Sequence, residues 1–164
     1  MDFNTKHTLV ALVEDKPGVL NRVASLFRRR GFNIQSLAVG SSEQAGLSRM
    51  TIVVADDAGT VEQVRKQLDK LINVVKVSDI TDEGIVSREL ALIKVKANAE
   101  TRSEIMQIVD IFRANIVDVA LNSVTVEVTG DEDKVESLIK LLRGFGIKEI
   151  CCTGRIALTR GGTS

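Results

Sequence analysis

The stretch VEDKPGVLNRVASLFRRRGFNIQSLAVG, residues 13–40, decides how the chain is organised. It contains Pro17, the only proline of the sequence, followed directly by Gly18. An apolar run precedes this pair and apolar residues at helical spacing follow it, so the pair marks a corner between a strand and a helix. Three arginines and then Gly31 are typical of a helix end. The stretch therefore predicts a helix over 17–30 that leads into a second strand.

Around this corner, apolar periodicity predicts six elements in the order β-α-β-β-α-β. The first helix should turn Leu20, Val23, Ala24 and Phe27 inward, with flanking Val19 and Leu26. A polar loop joins the second and third strands into a hairpin. The predicted strands are His7–Glu14, Phe32–Val39, Leu47–Ala55 and Val74–Ile80, and the predicted helices are Pro17–Arg30 and Thr60–Leu71.

The same order of elements returns in the second half. The predicted strands are Glu89–Ala97, Asn115–Ala120, Ser123–Val128 and Ile147–Leu158, the last in one or two pieces, with helices at Thr101–Phe112 and Asp131–Leu142. The pattern predicts an α+β fold of two ferredoxin-like βαββαβ domains in tandem. We expect domains at 1–80 and 88–164 with a linker at 81–87. Two helices cover only one sheet face, so the other face needs a partner or water.

Composition argues against several functions. The 164 residues contain 22 Lys and Arg and 22 Asp and Glu, so no overall basic surface for nucleic acid or an acidic membrane is expected. The predicted strands MTIVVA and SVTVEV carry no aromatic residue on which RNA bases could stack. Apolar runs are too short to span a bilayer, and the N-terminus lacks the pattern of a secretory signal.

Few side chains suit catalysis or metal binding. His7 is the only histidine, so one chain can build neither a histidine metal cluster nor a Ser-His-Asp triad. We expect His7 at the surface, at a strand start. Cys151 and Cys152 are adjacent and are expected to be reduced thiols, because a bridge between neighbours is strained. An enzyme is therefore the weaker hypothesis.

The corner itself has the chemistry of an amino-acid site. Asp15 or Lys16 should cap the helix, and the preference of residues before proline for extended backbone favours Lys16, with Pro17 as the first helical residue. The N–H groups of Gly18, Val19 and Leu20 would then lack partners in the helix and could bind a carboxylate. Asp15 or the amide of Asn33 could take an ammonium group. The alternative is that Pro17 and Gly18 are ordinary turn residues.

The stretch LVEDKPGVLNRVASLFRRRGFNIQSLAVG, followed by LSRMTIVV, closely resembles the ACT domain of the small regulatory subunits of acetohydroxyacid synthase, also called acetolactate synthase. The second half is similar to the C-terminal domain of the same subunits, in SRELALIKVKA, IVDIFRANIVDV and GIKEICCTGRIAL. The resemblance covers roughly His7 to Leu158.

The resemblance implies a homodimer that binds a branched-chain amino acid, usually valine, at the interface of its ACT domains. One chain would contribute the corner and its partner the start of the second strand. The family often has Asn where this chain has Asp15. Carried over to this sequence, the effector-binding residues are Asp15, Lys16, Pro17, Gly18, Val19 and Leu20 from one chain and Asn33 and Ile34 from the other.

The resemblance also implies a role in branched-chain amino-acid biosynthesis. The chain would be a non-catalytic regulator that activates a large catalytic subunit and confers feedback inhibition by valine or another branched-chain amino acid. We expect no catalytic, metal or cofactor site in this chain, while the catalytic partner would hold thiamine diphosphate, Mg²⁺ and FAD. The expected compartment is the cytoplasm, or the plastid stroma for a processed organellar protein. The alternative is an ACT-domain amino-acid sensor that regulates a different enzyme.

Overall fold

Residues 5–161 are described by the computed structural model, and they form two βαββαβ units. One unit holds the described residues up to Val86 together with 155–161, and the other holds Ser87–Gly154. The predicted α+β fold of two ferredoxin-like units is confirmed.

The first unit is a four-stranded antiparallel sheet with two helices on one face. The strand order β2-β3-β1-β4 places β1 and β3 in the centre and leaves β2 and β4 at the edges. The elements are β1 (Thr5–Glu14), α1 (Val19–Arg30), β2 (Ile34–Ser41), β3 (Leu47–Asp56), α2 (Ala58–Asp69) and β4 (Val74–Asp79).

Alternate residues of the central strands form the core of this unit. Leu9, Ala11 and Val13 of β1 point to the helices, as the two-residue repeat of a strand requires. The inward stripe of α1 is Val19, Val23, Leu26 and Phe27. The predicted stripe was wrong at Leu20 and Ala24, which are exposed. The helix begins at Val19, whose side chain points into the core. Leu20 and Ala24 lie on a part of the helix surface that faces away from the core.

The second unit repeats the topology, with strand order β6-β7-β5-β8. Its core joins Ile93 of the central strand to Ile105 and Leu138 of the two helices. A short 3-10 helix at Arg143–Phe145 follows the second helix of the unit. The elements are β5 (Ile85–Lys96), α3 (Arg102–Ile111), β6 (Asn115–Val119), β7 (Ser123–Gly130), α4 (Glu132–Leu142) and β8 (Ile147–Cys152).

The last strand, β9 (Ile156–Thr159), changes the predicted domain division. Ala157 is buried against Val10 and Ile80 of the first unit, and Arg155 Nη1 donates to Thr8 Oγ1 at 3.1 Å. Residues 155–161 therefore belong with the first unit, where the sequence placed them in a domain at 88–164; residues 162–164 lie outside the described residues.

The predicted linker at 81–87 also differs from the structure. Residues 81–84 form the turn after β4, but residues 85–87 are already part of β5. Arg160 N donates to Gly84 O at 2.7 Å, and Arg160 Nε donates to Ile85 O at 3.1 Å. Residues 85–87 are part of a regular strand because β5 pairs with the C-terminal strand β9. The turn is therefore limited to residues 81–84 and is shorter than the predicted linker.

His7 is not the surface residue that the sequence predicted, because only 9% of it is exposed. It lies on the helix-facing side of β1, and its Nδ1 is 3.2 Å from Asp79 Oδ2. Burial raises the pKa of Asp79, but hydrogen bonds from Thr81 and His7 outweigh it and hold that pKa below the ordinary value.

Cys151 and Cys152 are free thiols, and both are exposed. Within the part of the chain that the structure describes, no helix is long and apolar enough to cross a membrane.

Candidate functional site

The corner between β1 and α1 is a tight turn. Val19 N donates to Lys16 O at 3.4 Å, which closes the four-residue turn. Gly18 has φ 86° and ψ −9°, the conformation of the third residue of a type II turn, and Pro17 occupies the second position, where proline is favoured. Only glycine adopts this left-handed conformation without a steric cost. The turn therefore accounts for Pro17 and Gly18 as a pair.

The turn corrects the predicted start of the helix. Gly18, rather than Lys16, is the N-cap, and Val19, rather than Pro17, is the first helical residue. The prediction assumed that Pro17 would be used for its helical φ. The left-handed backbone of Gly18 delays the helix by two residues.

The helix that follows has an open N-terminus. The side chains of Asp57 and Asp131 accept hydrogen bonds from the first turns of α2 and α4, but α1 has no side-chain cap. In residues 5–161, Gly18 N and Leu20 N make no hydrogen bond, whereas Val19 N, predicted to be available, closes the turn. Free N–H groups at the positive end of a helix dipole favour a bound carboxylate.

Space above the corner is available to a ligand. Asp15, Lys16, Pro17 and Gly18 are exposed, and a Cβ added at Gly18 would meet no atom within 4 Å. Val19 is buried in the core, so only its backbone faces this space, whereas the side chain of Leu20 is 47% exposed. The exposed Leu20 is an apolar surface beside the free N–H groups.

A polar network fixes the corner to the rest of the sheet. Asn73 Nδ2 donates to Glu14 Oε2 at 2.9 Å, Lys16 Nζ lies 3.0 Å from the same oxygen, and Arg22 Nη1 donates to Asn73 Oδ1. The hydrogen bond from Asn73, then the hydrogen bond and charge of Lys16, hold the pKa of Glu14 below its ordinary value. Sequence reasoning missed Glu14, Arg22 and Asn73, because no local pattern joins residues 59 apart.

The predicted residues Asn33 and Ile34 lie at the other end of α1. Asn33 is exposed just after the helix, and Ile34 starts β2 and packs partly against the core. A helix of 12 residues is about 18 Å long at 1.5 Å per residue, so one chain keeps this pair far from the corner. The structure brings Asp15–Leu20 together but not Asn33 and Ile34 with them, and a site that uses both groups requires two chains.

Comparison with known proteins identifies the family. The chain is 61% identical over 156 residues to a probable acetolactate synthase small subunit of Archaeoglobus fulgidus, covering 95% of this chain and 98% of that protein. The chain belongs to the acetolactate synthase small-subunit family. The acetolactate synthase small subunit of Mycolicibacterium smegmatis is 56% identical over 155 residues, covering 94% of this chain and 91% of that protein.

Two family matches cover successive parts of the chain, and the second includes residues 155–161, which pack with the first unit. Residues 9–76 match the AHAS small subunit-like ACT domain, and residues 88–161 match the family described as small subunit of acetolactate synthase. The crystal structure of the acetolactate synthase small subunit from Thermotoga maritima superposes with a TM-score of 0.89 at 46% identity, covering 97% of this chain and 99% of that chain. The resemblance predicted from sequence and the ACT assignment of the first unit are thus confirmed.

We predict that Asn73→Ala raises the pKa of Glu14 toward its ordinary value of 4.5, because the largest stabiliser of its charged form is removed. Carboxyl-detected NMR titration measures this pKa, and that of Glu62, lowered mainly by its hydrogen bond with Arg65, should not change. A carboxylate whose pKa is lower in the folded than in the unfolded state stabilises the fold at pH values above its unfolded-state pKa. This stabilisation is lost as the pH falls through the folded-state pKa. The stability difference between wild type and variant should therefore shrink at acid pH. An unchanged Glu14 pKa would contradict the network.

Proposed function

We propose that this chain is the non-catalytic regulatory subunit of an acetolactate synthase, which activates the large catalytic subunit and carries feedback inhibition by a branched-chain amino acid, valine first. The observation that carries the effector site is the uncapped start of α1 beside exposed Gly18 and Leu20. Its free N–H groups suit the carboxylate of an amino acid, and Leu20 suits an aliphatic side chain. The relatives named as acetolactate synthase small subunits support the choice of enzyme.

The ammonium group of the effector needs acceptors, and both chains have them. Asp15 is exposed beside the open helix end, and its carboxylate can pair with the ammonium. Asn33 of a second chain offers an amide oxygen, and Ile34 adds aliphatic surface. We propose that Asp15–Leu20 of one chain and Asn33 and Ile34 of its partner form each effector site.

A homodimer supplies the second chain. Strand β2 lies at an edge of the first sheet, so one row of its backbone N–H and C=O groups is unpaired within the sheet. Residues Ile34–Ser41 can therefore join a second copy around a two-fold axis, which would give two equivalent effector sites.

The catalytic chemistry is assigned to the partner. Among residues 5–161, no three His, Cys, Asp or Glu side chains are grouped to hold a metal ion. We propose that thiamine diphosphate, Mg²⁺ and FAD are bound by the large subunit, and that the complex acts in branched-chain amino-acid biosynthesis in the cytoplasm, or in the plastid stroma for an organellar form. The alternative, an ACT-domain sensor for a different enzyme, predicts that a tagged chain does not retain the large subunit in a pull-down.

The isolated chain is expected to form no acetolactate, and addition of the chain to its cognate large subunit is expected to raise the rate of that subunit. The reason is that the proposed role is contact with the catalytic subunit rather than chemistry. Acetolactate formation by each subunit alone and by the mixture tests this, with heat-denatured small subunit as the control. Turnover by the purified small subunit alone would refute the assignment.

The chain is expected to sediment as a dimer or larger at micromolar concentration, because the effector residues of one chain lie at opposite ends of α1. Sedimentation velocity measures the species present. Val39 is a half-exposed residue of the edge strand β2. Val39→Pro should weaken a dimer formed through β2, because proline removes a backbone donor and stiffens the strand. Val75→Pro on the opposite edge strand β4 is the matched control. A wild-type chain that sediments only at 17.8 kDa contradicts the dimer.

Gly18→Asp is expected to weaken valine inhibition of the reconstituted complex by about a hundredfold, because a carboxylate would repel the effector carboxylate where it meets the helix end. A side chain at φ 86° also carries about 1–2 kcal/mol of backbone strain. Gly18→Asn is the matched control, because it has the same strain and nearly the same shape without the charge. Inhibition curves against valine concentration should show the larger loss for Gly18→Asp, and activation should persist in both.

Asn33→Ala should weaken inhibition less, about tenfold, because it removes a neutral hydrogen-bonding group. Wild-type inhibition in Gly18→Asp would place the effector elsewhere. Equal losses in Gly18→Asp and Gly18→Asn would mean that backbone strain or capping of the free N–H groups by the new side chain, and not repulsion of a carboxylate, is the cause.

A further inference from the structure

A cavity of about 310 Å³ lies on the helix-free face of the first sheet, beside β9. Val10 and Leu12 of β1 line it, and they point away from the helices because Ala11 and Val13 point toward them. Ala157 and the residues after it in β9 line the opposite side. We call this space the open-face cavity.

The C-terminal segment that lines this cavity is fixed to the first unit. Ala157 is buried with Val10 and Ile80, and Arg155 donates to Thr8 Oγ1. The backbone of Arg160 pairs with Gly84 at 2.7 Å. The cavity is therefore bounded by two anchored surfaces and is not a gap beside a loose tail.

Two cations flank the floor of the cavity. Leu12 is in register with Arg49 on one side and with Lys76 on the other, so the three residues form a row across β3, β1 and β4. Neighbouring strands are about 4.8 Å apart, which puts the Cα atoms of Arg49 and Lys76 about 10 Å apart on the same face. Both side chains line the cavity, and both are long enough to reach one small ligand above Leu12.

The lining carries an excess of positive charge. Glu83 is the one carboxylate among the lining residues. Glu43 lies 3.9 Å from Arg49 Nη2, but its side chain is 67% exposed, so this pair neutralises little of the charge. Lys76 has no ion pair within residues 5–161. A ligand with one negative charge would neutralise the excess positive charge of the lining residues, whereas a zwitterion, which has no net charge, would not.

The remaining surface suits a short aliphatic molecule. Val10, Ile80 and Ala157 make one side of the cavity apolar, and the hydroxyls of Ser78 and Thr159 can hydrogen-bond to a second oxygen. The volume is at the small end of the range for ligand sites.

We propose that the open-face cavity binds a short aliphatic hydroxy- or oxo-carboxylate, with its carboxylate between Arg49 and Lys76. The site is separate from the effector residues: it lies on the opposite sheet face from α1 and is built from one chain. It does not depend on the proposed effector function.

The test is an NMR titration of the full chain with 2-hydroxyisovalerate and, in parallel, with valine. These two ligands have nearly the same shape and differ in a hydroxyl against an ammonium group. The hydroxy acid should shift the backbone amides of Val10, Ser78 and Ala157. Lys76→Met and Arg49→Met should each weaken its binding about tenfold or more, because each removes a charged partner of the carboxylate. Lys66→Met, an exposed lysine on α2, makes the same charge change outside the cavity and should leave binding unchanged.

A second variant separates charge from shape. Ser78→Leu fills the cavity while both cations remain, and it should also weaken binding about tenfold. Gly18→Asp should leave binding of the hydroxy acid unchanged, so a failure of the effector site does not affect this result. The proposal is overturned if these amides do not shift at roughly 10 mM hydroxy acid, if Gly18→Asp and not Lys76→Met abolishes binding, or if valine shifts the same amides with equal affinity.

Discussion

Two helices can cover only one face of a four-stranded sheet, and this limit shapes both units of the chain. In the first unit the helix side of β1 is completely buried at Leu9, while the other side carries Val10 and Leu12. Val10 is nevertheless 92% buried, because Ala157 of the C-terminal strand packs on it. In the second unit the helix-free face carries the ion pair of Lys94 with Glu149, which tolerates water. The two units thus share a topology but differ in what lies on the helix-free face of the sheet.

Most of the fold could be predicted because the burial pattern is regular. The continuous apolar run of β1 and the helical repeats of α2 and α4 reflect packing against the core of each unit, so local sequence reveals them. The predictions that were wrong depended on contacts between residues that are distant in sequence. Ala157 joins the first unit through residues more than 70 positions away, and the strand pattern around it gives no sign of which sheet it meets. His7 is buried for a similar reason: its partner Asp79 lies on another strand.

The sequence located the corner between β1 and α1 but not the conformation of its backbone. Pro17 and Gly18 fit both the start of a helix and a type II turn, and only the positive φ of Gly18 decides between them. The type II turn leaves the helix N-terminus without a side-chain cap, but it uses Val19 N for its own hydrogen bond, so this group is not available to a ligand. The helix predicted over 17–30 already separated Asn33 from the corner, but the sequence could not show that Asn73 joins Glu14 to Arg22.

The separation of the two groups along α1 bears on how an effector could act. A ligand shifts a conformational equilibrium only by the difference between its affinities for the two states. A ligand held by the corner alone would bind every arrangement of two chains equally well and so would change none. A ligand that also contacts Asn33 of a second chain binds tightly only where both chains are correctly placed, so its binding free energy favours that placement. The uncapped helix end adds affinity in every arrangement, because N–H groups that only water satisfies in the free chain gain a charged acceptor from the ligand. In the proposed effector site, the contact with Asn33 of the second chain therefore couples binding to the placement of the two chains, whereas a side-chain cap on α1 would compete with the ligand carboxylate and weaken binding in every placement.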